Sequence, residues 1–182
     1  MQFRNSTTLD TDRLYEQLLR HTHPYRHDQL RVSVRYSRGA DFSGSCYYAD
    51  SRIFVNIGRH VTYPYKMATH VAKATSNSTH WWREHLTVTL ADATQLVLFI
   101  YLHELFHYLV KRAGRNPRRK EAMCDRFAAR ILVDQYRCPI RRRSGAAAPR
   151  EMWDFKDLDA FVGAAPKQSR PTPRPIPVRV HS

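Results

Sequence analysis

The order of apolar and polar positions divides the chain into a few readable elements. Over residues 10–20, DTDRLYEQLLR, Leu14, Leu18 and Leu19 fall on one face of a helical period, and Asp10 stands at the N-cap. The spacing predicts a helix there. Residues 30–36, LRVSVRY, alternate Leu30, Val32, Val34 and Tyr36 with polar partners, which predicts a strand. RGADFSGS then reads as a turn. CYYADSRIFVNIG, residues 46–58, holds two short strand-like runs around Ala49-Asp50-Ser51, a hairpin pattern. Residues 60–90 follow neither period. They carry Pro64, TSNSTH and WWREHL, and read as a connecting loop or insertion with partial helix.

From Thr89 the pattern sharpens. TLADATQLVLFIYLHELFHYLVKRAG has a polar start, an apolar body, Lys111 and Arg112 late, and Gly114 as a stop. Apolar on nearly every face, this helix belongs at the centre of the core. NPRRKEAMCDRFAARILVDQYR, 116–137, predicts a second helix with Pro117 in its first turn and Ala122, Phe127, Ala128, Ile131 and Leu132 on its apolar face. RRRSGAAAPR reads as a linker, and MWDFKDLDAFV, 152–162, as a short packed helix. The pattern predicts one α+β domain, mainly helical with a small antiparallel or mixed sheet, over residues 1–164. Residues 165–182 read as a Pro/Arg-rich disordered tail, with five prolines from Pro166 onward.

Composition narrows the class. The chain has 182 residues, enough for one core, and 30 Lys plus Arg against 16 Asp plus Glu give it a charge of +14. The excess sits in three clusters, Lys111–Lys120, Arg137–Arg143 and Lys167–Arg179. They suit nonspecific contact with nucleic acid or acidic peptides. The chain carries no RNP pattern, zinc-finger spacing or clear helix-turn-helix. Cys46, Cys124 and Cys138 form no CxxC pair and cannot all pair within the chain, which favours a reducing compartment. MQFRNSTTLD has no apolar signal region, and LVLFIYL, 96–102, is too short and its continuation too polar to cross a bilayer. These features predict a soluble cytoplasmic protein with no membrane span.

The chemistry lies in YLHELFHYLV, residues 101–110. Residues four apart share a helix face, so His103 and His107 can reach one ion, with Glu104 beside them where water would sit. Neutral imidazoles and a carboxylate suit Zn²⁺, which lowers the pKa of water toward about 7 and leaves Glu104 to accept the proton as general base. With 10 histidines in 182 residues, H-E-x-x-H arises by chance in roughly 1–2 % of such sequences. Burying these groups in an apolar helix is costly unless something satisfies them, and a metal does. Glu121, on the second helix across a loop broken by Gly114 and Pro117, is the candidate third ligand. Asp125, one turn on, is the candidate acceptor of a ligand histidine's second N–H. Cys124 points off their face and reads as core. Candidates for an oxyanion donor are His60, Tyr63, Tyr65, His70, His80, His85 and Tyr136, and spacing selects none. HTHPYRH, 21–27, reads as a polar surface loop.

HELFH followed by EAMCDRFAARIL resembles the gluzincin metallopeptidases, with HExxH on an active-site helix and ExxxD on a following glutamate helix. The form is similar to small soluble HtpX-like enzymes, or minigluzincins, and to ImmA/IrrE-type peptidases, over roughly residues 89–135. SprT-like proteases use a third histidine instead. The resemblance implies a zincin-like fold and zinc held by His103, His107 and Glu121. It also implies Glu104 as general base, Asp125 orienting a histidine, and a protein or peptide substrate. An edge strand near YADSRIFVNIG would pair with extended substrate. HtpX-type enzymes carry membrane spans, and this chain has none. An ImmA/IrrE-like regulatory protease with one DNA-associated target is an alternative. So is a nonenzymatic nucleic-acid-binding protein with a structural zinc.

Overall fold

The computed structural model describes residues 1–168, and the rest of the expected tail, 169–182, lies outside them. Among the described residues, one strand and one helix lead into a run of seven strands, two long helices follow, and a ninth strand and a short fourth α-helix close the order, the strands forming three sheets. The expectation of a mainly helical protein therefore understates the strands, although the α+β class holds.

The first half builds a mixed sheet on one long helix. Strand β1 (Gln2–Asn5) leads to α1 (Thr11–Thr22). The Asp10 side chain accepts from the Arg13 backbone N–H at 2.9 Å, as an N-cap should. Leu14 and Leu18 are buried. Strand β2 (Arg31–Tyr36) returns parallel to β1, β3 (Phe42–Tyr47) and β4 (Arg52–Ile57) form a hairpin, and β4 runs parallel to β2. The sheet order is β1-β2-β4-β3. Two expectations change here. FSGS within the expected turn belongs to β3, and β3, not the IFVNIG strand, is the sheet edge.

Residues 60–90 form no helix. They give β5 (Tyr65–Thr69), a β6–β7 ribbon (Ala74–Ser76, Trp81–Arg83) and β8 (Leu86–Leu90). The strands are short, and β6 and β7 are largely exposed, so no buried face imprints alternation on their residues. The expected linker after residue 140 also pairs with a sheet, through β9 (Ile140–Arg141) on β8.

Helix α2 (Ala93–Arg112) runs through the middle and touches α1, the sheet, and helices α3 (Glu121–Tyr136) and α4 (Leu158–Val162). It is the one described helix long and apolar enough to cross a membrane, with mean hydropathy 1.3, yet most of it is buried inside the domain. Its end follows chemistry. Gly114 at φ 75° lets its N–H reach the Lys111 carbonyl at 3.1 Å while the Arg115 N–H reaches Val110 at 3.0 Å, a Schellman closure. The second helix begins at Glu121, not 116, because Arg119 turns the chain at φ 57° just before it. The 152–162 segment splits into a 3₁₀ turn at Arg150–Met152 and the shorter α4, with Trp153 and Leu158 as buried anchors.

Two surface expectations also change. His21 and His27 of the HTHPYRH segment are buried. The boundary at residue 164 is not sharp, because the Arg26 N–H donates to the Pro166 carbonyl at 2.8 Å and Ala165 is buried.

Candidate metal centre

The α2–α3 loop folds Glu121 back onto the two histidines of α2. One Glu121 carboxylate oxygen lies 3.1 Å from His103 Nε2 and the other 3.3 Å from His107 Nε2. The two imidazole rings are 5.1 Å apart between centroids. Asp125, one turn further along α3, accepts from His103 Nδ1 at 2.8 Å. That bond holds the Nδ1 proton in place and turns Nε2 toward Glu121. All four residues expected from the sequence therefore meet.

The chain around the site is pinned by α3. The second Asp125 oxygen accepts the His70 backbone N–H at 2.8 Å, and Arg126 Nε donates to the Val71 carbonyl at 2.7 Å. Consecutive residues of α3 thus clamp the segment after β5 beside the histidines. His70 then lines a cavity of about 230 Å³ with His103, Glu104 and Asp125, walled by Phe42, Met67, Phe99 and Ile100.

Of the seven candidate oxyanion donors, His70 is the one that lines this cavity. His60 and Tyr65 are both committed to Asp41, at 2.9 and 3.0 Å, and Tyr136 pairs with His21. His80 is held in the ribbon's turn by Thr79, and the Tyr63 hydroxyl is buried without a partner. His85 stands behind His70, 6.2 Å between rings.

Glu104 is buried, 8 % exposed, and has no hydrogen-bond partner among the described residues. Burial pushes its carboxyl up to about 7, with Glu121 adding to the rise and His103 opposing it. The reason it lies so close to the edge strand is Gly44 of β3. A Cβ there would stand 2.4 Å from a Glu104 oxygen and 2.8 Å from Ile100. A side chain at 44 would force Glu104, Ile100 or the strand itself to shift.

The histidines are unequal. Burial opposes charge on His103, but its bonds to Asp125 and Glu121 outweigh that and lift it to about 9. Burial and the neighbouring His103 charge lower His107. Glu121 is held down to about 2, first by its bond to His103. His107 Nδ1 is buried, and its contact with the Pro117 carbonyl falls short of a formed hydrogen bond.

Three residues near this site escaped the sequence reading. Gly44 sits in a stretch that read as a turn. The Tyr48 phenol is raised to about 12 by burial first and then by Cys46, Glu104, Cys124 and Glu121. Cys124, expected to point away, instead converges with His103 and His107, the three potential donor atoms lying within 4.8 Å of one another. Its thiol is fully buried and pushed far up by that burial. Helical spacing alone did not reveal Cys124, because α3 crosses α2 and presents a wider arc of its face than the i, i+4 stripe.

The donor set fits a divalent metal such as Zn²⁺: two imidazoles and a carboxylate converge, one imidazole is oriented by a second carboxylate, and a base lies alongside. Comparison of the chain with family models, with curated proteins and with solved structures returned no match.

Proposed function

We propose that the protein is a zinc-dependent metallopeptidase with a zincin-like fold of the gluzincin type. The observation that carries the reading is the meeting of His103, His107 and Glu121, with Asp125 behind His103 and Glu104 alongside in the same cavity. Nothing in an ordinary core demands two carboxylates aimed at two histidines on a buried helix.

His103, His107 and Glu121 would hold the ion. When bound, Zn²⁺ supplies Lewis acidity that makes water a nucleophile near neutral pH. Glu104 takes a proton from the attacking water as its oxygen adds to the scissile carbonyl carbon. Its burial raises the carboxyl's proton affinity, which suits a group that accepts that proton and returns it to the amine nitrogen as the C–N bond breaks. Asp125 keeps His103 in one tautomer throughout. The His70 ring, at the cavity wall, is the group within reach of a developing oxyanion. The apolar wall of Phe42, Met67, Phe99 and Ile100 favours an apolar residue in the substrate beside the cleaved bond.

The test is metal content by elemental mass spectrometry on the full chain and its variants. About one zinc per chain is expected, lost or much reduced in His107→Ala and Glu121→Ala. Wild type that cannot be loaded with zinc sinks the reading. A second reading rests on Cys124, whose thiol points at the histidines. A site in which His103, His107 and Cys124 are joined by Glu104 as the fourth donor would be closed and structural. Zinc retained in Glu121→Ala but lost in Cys124→Ala selects it. The choice between a broad peptidase and a regulatory protease with one target rests on whether purified enzyme cleaves unrelated unfolded proteins.

A further inference from the structure

The β6–β7 ribbon is unlike the rest of the domain. Every residue of β6 is exposed, β7 is exposed at Trp81 and Trp82, and no other described element packs extensively on the pair. A two-stranded ribbon is marginal alone, and three tethers hold this one. The Lys73 N–H donates to the Met152 carbonyl at 2.6 Å, Arg83 donates to the His70 carbonyl at 3.3 Å, and Arg142 grips Glu84 with two bonds at 2.9 and 3.1 Å.

Trp81 and Trp82 are 72 % and 48 % exposed. Successive strand residues point to opposite faces, so each face of the ribbon offers an indole. Large aromatics left on both faces of a polar ribbon do not serve folding. The surroundings are basic. Lys73 and Arg83 flank the ribbon, and the Arg142–Glu84 pair brings the exposed Arg141–Arg143 loop to its base.

We infer that the β6–β7 ribbon and the Arg141–Arg143 loop form a binding surface for single-stranded nucleic acid. Indoles on exposed faces stack unpaired bases without regard to sequence, and the arginines neutralise the phosphates that follow. A duplex keeps its bases stacked on each other and gives the indoles nothing to hold. A membrane is the poorer occupant, because the leading turn is polar. Asn77 accepts backbone bonds from Thr79 and His80 at 3.0 and 2.7 Å, so the tip presents Asn77, Ser78, Thr79 and His80 instead of indole. This surface does not depend on the metal reading.

The chain has three tryptophans, and Trp153 is buried at 2 % exposure, so a ligand at the surface changes the emission of Trp81 and Trp82 alone. The experiment titrates the full-length protein with oligothymidylate of about 15 nucleotides, within the site sizes of stacking surfaces, following tryptophan fluorescence. Saturable quenching is expected, with affinity falling as salt rises by a log–log slope of about 0.7 for each neutralised phosphate. Trp81→Ala and Trp82→Ala should each weaken binding about tenfold, since one stacked base is lost. The Arg141→Ala/Arg143→Ala variant should reduce the salt slope by about 1.4. Both tryptophans are exposed, and an unchanged far-UV circular dichroism spectrum and denaturant midpoint verify that the variants fold. Binding of the double variant is read by the anisotropy of a dye-labelled oligothymidylate; affinity undiminished in Trp81→Ala/Trp82→Ala, or equal for duplex of the same length, overturns the inference in favour of diffuse charge. No quenching by oligothymidylate, with a blue shift on phosphatidylserine vesicles instead, overturns it in favour of a membrane surface.

Discussion

Two histidines on neighbouring helices, buried His21 of α1 and half-buried His103 of α2, lie in opposite electrostatic surroundings. His21 meets a hydroxyl, the Tyr136 phenol at 3.1 Å, and its neighbour Thr22 bonds the Tyr101 hydroxyl. Burial, aided by the adjacent Arg20 charge, drives its pKa down to about 4. His103 meets carboxylates on both ring nitrogens and is driven up to about 9 despite its burial. The contrast separates a histidine that the core has absorbed from one that the fold holds in readiness for charge. Burial alone distinguishes nothing; the partners decide.

The sharpest test of that contrast separates binding from chemistry. Glu104→Gln should keep its zinc and lose peptide hydrolysis by about 10²–10⁴-fold, the usual worth of a general base. His21→Phe should change neither zinc content nor turnover. Equal activity loss in both would erase the distinction, and turnover assays beside metal analysis decide it.

A smaller effect is expected behind the ligands. Asp125→Asn removes the charge that orients His103, and zinc affinity should fall by about 10–100-fold, measured by competition with a chelator. A variant with wild-type affinity would mean that the Asp125 bond is only structural.

The His21 side of the comparison carries a pH dependence. Its folded pKa of about 4 lies below the model-compound value of 6.5, so the unfolded chain takes up the proton first. Stability contributed by the neutral ring is complete above about 6.5 and declines as pH falls toward 4. The loss should be on the order of 1–2 kcal/mol, since solvent beside the ring screens part of the burial effect. Denaturant midpoints of wild type and His21→Phe between pH 7 and 4 should diverge accordingly. Parallel curves would show that the ring is accessible to protons in the folded state.

Smallest is Tyr136→Phe, which strands the His21 Nε2 without its partner and should cost about 1 kcal/mol in the same assay.

Much of the site was legible in the chain. His103, Glu104 and His107 stand out because polar groups interrupt an apolar run that a helix must bury. Glu121 and Asp125 follow from a short loop between two helices. Helix α1 was readable from Asp10 and its leucines. What failed had local causes. Strand β3, FSGSCY, lines the cavity with Phe42 and Gly44, and the bare position at 44, where a Cβ would strike Glu104, together with Ser43 and Ser45 breaks the apolar alternation that marks a strand. The 60–90 region breaks into strands of three to five residues whose partners are distant or exposed, too short for a period to register. The start of α3 was misplaced because Arg119 adopts a left-handed conformation that its residue type does not advertise.

The bare backbone at Gly44 has a practical corollary. A single methyl group placed on β3 would press on Glu104 and Ile100. If the chain is the peptidase proposed above, Gly44→Ala would give a protein that holds metal and polypeptide but cuts slowly, because Glu104 has been pushed aside. Such a stalled form would be a bait: what it retains from a mixture of candidate substrates would be what the proposed peptidase consumes.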